Sequence, residues 1–329
     1  MLTAPPPGGL APLWASGYSF LMIPFPALAL AAASAFLAAM SAQAGTAGRD
    51  EALETRRFEQ AALKGDRDAM SKLACRLADG TGTAPSPKAA LRWLRKAAEA
   101  GHPNAQFNLG AVFDEGDAVA GVRADPAAAF RWYRRAAKSG SERGQVLTGF
   151  CYWKGIGIKR DVSQARFWFE KAASAGQSDA QFMLGYLDET GDDAAPDLAK
   201  ALEWYRLAAA QGGPKAQFRI GLMYSKGQIK GGGLPESVTW LRKAAEQGYP
   251  EAQYNIGLAY YYGRGVAASP ADAYAWLSLA RENAMADANE PFEELSRKIT
   301  AADRAAGKRL AEERRRPVPV MFKDKREPC

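Results

Sequence analysis

The residues that most often act as nucleophiles or metal ligands near neutral pH are scarce in this 329-residue chain: one histidine, His102, and three cysteines. No C-x-x-C occurs, and a lone histidine argues against a protein zinc site. There is no S-x-x-K, G-x-S-x-G, H-E-x-x-H or G-x-x-x-x-G-K, so the common hydrolase, metalloprotease and phosphate-loop signatures are missing. His102 follows Gly101 and reads as an exposed turn residue. Several Gly-x-Gly pairs lack the preceding strand that a dinucleotide site needs. Asp192-Asp193 falls short of a calcium loop. No catalytic residue, metal or cofactor is expected. What the side chains do offer is recognition, through aromatic and apolar residues that return at regular intervals: Phe107, Phe150, Trp153, Phe182, Tyr186, Phe218, Tyr254, Leu258 and Tyr261.

The elements that must position them are set by a repeat. Trp93, Trp132, Trp168, Trp204, Trp240 and Trp276 are spaced 39, 36, 36, 36 and 36. Such a period marks stacked two-helix units, an all-α solenoid. Six units begin at Ala69, Ala105, Gly144, Ala180, Ala216 and Ala252. In each, relative positions one, five and nine place a stripe on one face of a first helix, as Ala105, Leu109 and Phe113 do. Position six is Gly in five units (Gly110, Gly149, Gly185, Gly221, Gly257), at about 1 kcal/mol of helix propensity each. That predicts a neighbour too close for a Cβ.

Gly-rich loops reverse the chain, and caps open the second helix: Ser86-Pro87, Asp125-Pro126, Asp161, Pro196-Asp197, Pro235 and Ser269-Pro270. Trp, its apolar neighbour and an Ala pair form the buried face. Gly101, Gly140, Gly176, Gly212 and Gly248 are expected as left-handed ends. Three extra residues in the second unit fall between Gly116 and Asp125, where a turn absorbs them. Cys75 and Cys151 lie two units apart, beyond the ~7 Å reach of a disulfide, and Cys329 is the last residue. No structural disulfide is expected.

The flanks differ from the repeats. Residues 1–48 carry no charge, and the apolar run Tyr18–Met40 ends in Ala42-Gln43-Ala44. This reads as an export signal cleaved after Ala44, with an uncleaved anchor at 18–40 as the alternative. The repeats are therefore expected in a periplasmic or secreted location. Residues 51–68 look like a half-repeat cap, 69–284 hold the six units, 285–316 form closing helices, and 317–329 are a loose tail. A net charge of +7 favours anionic partners.

AQFNLGAVFDEG with FRWYRRAAKSG, and AQYNIGLAYYYGRGV, resemble the Sel-one-like repeat family, relatives of the tetratricopeptide repeats, over about 51–284. The resemblance implies a right-handed α-superhelix that serves as an adaptor or scaffold, often in envelope or signalling assemblies. One branch was described as penicillin-binding or β-lactamase-like, but its repeats carry paired cysteines that this chain lacks. In tetratricopeptide-like solenoids, positions three, seven and ten of the first helices line the concave groove. Those positions hold the nine residues named above and are expected to seat a peptide or helix of a partner protein. The other reading of the position-three aromatics is packing between adjacent first helices. A basic stripe follows the tryptophans (Arg95-Lys96, Arg134-Arg135, Lys171, Arg206, Arg242-Lys243). It reads as a solvated outer face, with an anionic envelope polymer as a further partner and nucleic acid disfavoured. An envelope hydrolase and an anionic polysaccharide-binding scaffold are the alternative functions.

Overall fold

Each helix start and stop is locally encoded, and together they place two helices per 36 residues. The computed structural model describes residues 48–192 and 194–316. The export signal (1–44), the alternative anchor (18–40) and the tail (317–329) lie outside the described residues. Residues 52–63 are helical (α1). The first helices are α2 (Arg67–Asp79), α4 (Pro103–Glu115), α6 (Glu142–Lys154), α8 (Ser178–Thr190), α10 (Pro214–Ser225) and α12 (Pro250–Tyr262). The second helices are α3 (Pro87–Glu99), α5 (Pro126–Lys138), α7 (Val162–Ser174), α9 (Leu198–Ala210), α11 (Gly233–Glu246) and α13 (Pro270–Glu282). A 3-10 turn (Ala286–Ala288), α14 (Asn289–Lys298) and α15 (Ala301–Arg314) close the stack. The result is a right-handed α-solenoid. Among the described residues the one β-type pairing is the isolated bridge Asp117–Val122, which takes up the extra residues of the second repeat. No helix among the described residues is long and apolar enough to cross a membrane.

The caps act largely as expected. Asp125, Asp161 and Asp197 accept backbone N–H bonds at 2.9, 2.9 and 3.0 Å, and Ser269 does so at 3.3 Å. Ser86 stands at its N-cap without such a bond, and α11 starts at Gly233, ahead of Pro235. His102 departs from its expectation. Rather than an exposed turn residue, it is the N-cap of α4, its Nδ1 accepting from the Ala105 N–H at 3.1 Å. Its side chain is only 16% exposed.

Two packing devices hold consecutive helices together. A Cβ at Gly110, Gly149 or Gly185 would lie 2.7 Å from the ring of Tyr133, Phe169 or Tyr205. At Gly221 and Gly257 the neighbours are Leu241 and Leu277, at 3.0 and 2.8 Å. In every case the intruder is the residue after the repeat tryptophan, so the expected close approach comes from the second helix of the same repeat.

The other device is polar and starts at the Ala pair. The first alanine carbonyl accepts the N–H beyond the left-handed glycine, as Ala97 does from His102 and Ala244 from Tyr249. The second carbonyl accepts a buried glutamine of the next repeat: Gln106 bonds Ala98, Gln217 bonds Ala209 and Gln253 bonds Ala245. Those glutamines stand at relative position two, and their partners lie eight residues back across the turn between repeats.

The ends are covered differently. Ahead of the repeats, Asp66 N–H bonds Ala61 O at 3.2 Å, the same turn bond seen inside the repeats. The α1 side chain Thr55 donates to Thr81 O at 3.1 Å. At the other end α15 packs on α13, where a Cβ at Gly307 would lie 2.8 Å from Tyr274. Arg314 pairs with Asp272 and Arg315 with Glu282, at 2.8 and 3.0 Å. Cys151 is buried and free, its thiol pushed up to about 12 by burial and by Asp114. It is not joined to Cys75, as expected.

Candidate functional site

Helical spacing carries the nine candidate residues to one side of the first helices, and burial and packing partners divide them into three groups. Phe107 is withdrawn. It is 1% exposed, its ring 5.5 Å from Tyr133 and covered by the Arg143 guanidinium at 4.9 Å. For Phe107 the groove expectation is corrected, because the space between α4 and α6 is closed over it.

Tyr254, Leu258 and Tyr261 form the second group. They pack on the cluster that holds Tyr274, Leu277 and Leu295, together with Phe292 and Ile299. Tyr261 interacts with Glu294 and Lys298 of α14. These three are half-buried and pack against the closing helices. No local pattern signals this, since α14 meets α12 only in the folded stack.

The third group remains as a half-buried surface on α6, α8 and α10: Phe150, Trp153, Phe182, Tyr186 and Phe218. Phe150 and Trp153 have ring centroids 5.7 Å apart. Trp153 meets Tyr186 of the next repeat edge-on at 5.4 Å. Phe182 leans on Tyr205 at 5.6 Å and Phe218 on Tyr249 at 5.2 Å, so the position-three rings also serve the core.

Polar groups fix this surface. The Trp153 indole donates to Asp192 Oδ2 at 2.8 Å, and Arg160 Nη2 reaches the same oxygen at 2.9 Å. Arg160 Nε also donates to the Trp153 carbonyl at 3.1 Å. Lys154 lies 3.7 Å from the Trp153 ring centre, a cation–π contact. Arg219 sits over Tyr186 at 5.2 Å and pairs with Glu189 at 3.4 Å. Glu189 in turn accepts from the Tyr205 hydroxyl at 2.6 Å, and burial together with that bond pushes the Tyr205 pKa up.

Asp192, Arg160, Lys154 and Arg219 were not singled out from the sequence as parts of this surface. Asp192 read as a plain acidic turn, because its partner Trp153 is 39 residues away in the preceding repeat.

A further row runs along relative position zero, where Arg143, Asp179, Lys215 and Glu251 alternate in sign. Burial raises the Asp179 pKa, while Lys215 and Arg143 on either side hold it down. Among the described residues no group of three or more His, Cys, Asp or Glu could hold a metal.

The basic stripe is partly structural. Lys96, Arg135 and Lys243 lie over Trp93, Trp132 and Trp240 at 4.5, 4.6 and 4.3 Å. Each cation lies over the ring face of the tryptophan beneath it.

With a helix pair per 36 residues, a ring against each first-helix glycine and a shared polar seam, the chain can be compared with known proteins. The Sel1 repeat model matches six times, at residues 67–102, 103–141, 143–177, 178–213, 214–249 and 250–284. The chain belongs to the Sel1 repeat family.

Among solved structures it is similar to a Sel1 repeat protein from Oxalobacter formigenes. The two share 29% identity over 75% of this chain and 74% of that one, with a TM-score of 0.64. It is also similar to c5321, a protective antigen of uropathogenic Escherichia coli strains with an SLR fold. That match has 27% identity, covers 80% and 72% of the two chains, and has a TM-score of 0.52. No curated protein matches the sequence significantly. Sel1 repeat proteins are generally protein-interaction scaffolds without catalytic activity.

Proposed function

We propose that this Sel1 repeat protein is an adaptor of the cell envelope that grips a segment of a partner protein across α6, α8 and α10. One observation carries the reading. Trp153 and Tyr186, from consecutive repeats, form a continuous half-buried aromatic surface whose indole is already oriented by Asp192. Interface anchors are enriched in Trp, Tyr and Arg, and a side chain held in place before binding loses less entropy on complex formation. Phe150 and Phe182 extend the surface along the stack, so an extended peptide or a helix crossing two or three repeats is the occupant that fits. The apolar leader at 18–40 and the A-x-A at 42–44 support export. The absence of paired cysteines in the repeats separates the chain from the β-lactamase-like branch.

The test is affinity capture from envelope extracts, comparing wild type with Trp153→Ala/Tyr186→Ala and with Tyr261→Phe, each checked for equal helicity. A protein retained by wild type and Tyr261→Phe but lost by the double variant is the expected result. Equal retention by all three removes the site from this surface.

A further inference from the structure

The second helices stand in equivalent places but differ sharply in charge. Together α3 and α5 carry eight lysines and arginines against a single acid, Glu99. The helices α7 and α9 each carry a surplus of one positive charge, α11 is balanced, and α13 is one negative. All eight cations of α3 and α5 are exposed. Among the described residues none of them makes an ion pair. This is unlike α15, where Arg314 and Arg315 are tied to carboxylates.

On α5, Arg131, Arg134, Arg135 and Lys138 follow i, i+3, i+4 and i+7, one helix face about 10 Å long. With Trp132 they border a surface depression of about 350 Å3. One repeat further on, the places of Arg131 and Arg135 are taken by Phe167 and Lys171. One repeat beyond that, Leu207 takes the place of Lys171. Phe167 and Leu207 are each 50% exposed.

We propose that the outer face of α3, α5, α7 and α9 docks on an anionic phospholipid surface. A dense set of unpaired cations beside exposed aromatic and aliphatic side chains is the composition of an interfacial membrane face. The cations meet headgroup phosphates, while Phe167 and Leu207 enter the boundary with the acyl chains. A hydrophilic polyanion would engage the same cations but would gain nothing from Phe167 and Leu207, and these two side chains decide between the ligands. The face lies on the second helices, so the Trp153–Tyr186 surface on the first helices stays available to a protein partner.

The experiment is co-sedimentation of residues 45–329, the chain left by the proposed export cleavage, with phosphatidylcholine vesicles, with and without about a third phosphatidylglycerol. Binding is expected to the anionic vesicles only and to weaken as salt rises. At roughly fivefold per cation, Arg131→Gln/Arg134→Gln/Lys138→Gln should weaken binding by about a hundredfold. Arg135, which covers Trp132, is kept so that the fold is preserved. Phe167→Ser/Leu207→Ser should weaken vesicle binding while leaving any binding to soluble polyphosphate unchanged. Equal binding to neutral vesicles, or no loss in the triple variant, overturns the proposal. Vesicle binding indifferent to Phe167→Ser/Leu207→Ser and fully competed by polyphosphate also overturns it, in favour of a soluble polyanion.

Discussion

Repeats two and three differ from repeats four to six in how completely their shared polar seam is closed. In the rear repeats the buried glutamine also accepts a bond from the residue that ends the second helix. Gln211 donates to Gln181, Gln247 to Gln217 and Asn283 to Gln253, at 2.9, 2.8 and 2.9 Å. In the front repeats that terminal residue is Ser139 or Ala175, neither of which carries an amide. Correspondingly, Gln106 Oε1 and Gln145 Oε1 are buried without a partner. A buried polar atom left unmade costs about 1–3 kcal/mol. One skeleton thus carries a rear half in which each buried glutamine oxygen is paired and a front half in which it is not, and the front half also carries the surplus outer charge.

The largest expected effect compares two loop glycines with the same backbone. Gly157 of repeat three has φ +68°, and an added Cβ would lie 2.1 Å from Pro126 O of the preceding repeat. Gly227 of repeat five has φ +66° and open space around it. Gly157→Ala should destabilise by about 3 kcal/mol or more, strain and clash combined, whereas Gly227→Ala should cost only about 1–2. Denaturant unfolding reads both, and equal losses would show that loop docking does not join repeats two and three.

Next come changes that fill or open the ladder. Ala175→Gln and Ser139→Gln should each stabilise by about 1 kcal/mol, and Gln211→Ala should destabilise by a similar amount. Amide exchange should show the gain in α6 and α4 for the first two, and the loss in α8 for the third. No change in all three would mean that water already completes the front seam.

A comparable gain is expected at the last repeat, where Ala284 takes the glycine position with φ +63°. Ala284→Gly should raise stability by about 1 kcal/mol; a melting temperature at or below wild type would contradict this.

The smallest effect is a pH dependence confined to the front. Burial lowers the His102 pKa in the folded chain, with Asp68 opposing. The unfolded chain therefore takes up the proton first, so stability should fall as pH drops through the ordinary histidine range near 6.5 toward the lower folded value. His102→Asn keeps a capping side chain without a titrating group and should flatten that part of the curve in a urea titration series.

Much of the architecture is legible in the chain. The tryptophan phase, the glycines at position six, the Ala-Ala-x-x-Gly ends and the Asp or Ser caps are local patterns, and each acts within one or two helical turns. They determined the number of repeats, the helix pairs and even the crowding that excludes a Cβ at Gly185. What the sequence left open is whatever depends on atoms a repeat or more apart. Tertiary structure alone decided that Phe107 is sealed beneath Arg143, that Tyr261 is held against α14, and that His102 caps a helix instead of standing in water. It also decided that Asp192 reaches back to orient Trp153, whose ring meets Tyr186 of the next repeat on a half-buried surface. Periodicity specifies which face a residue shares; burial and hydrogen bonding on that face depend on what the neighbouring repeats and caps bring to it.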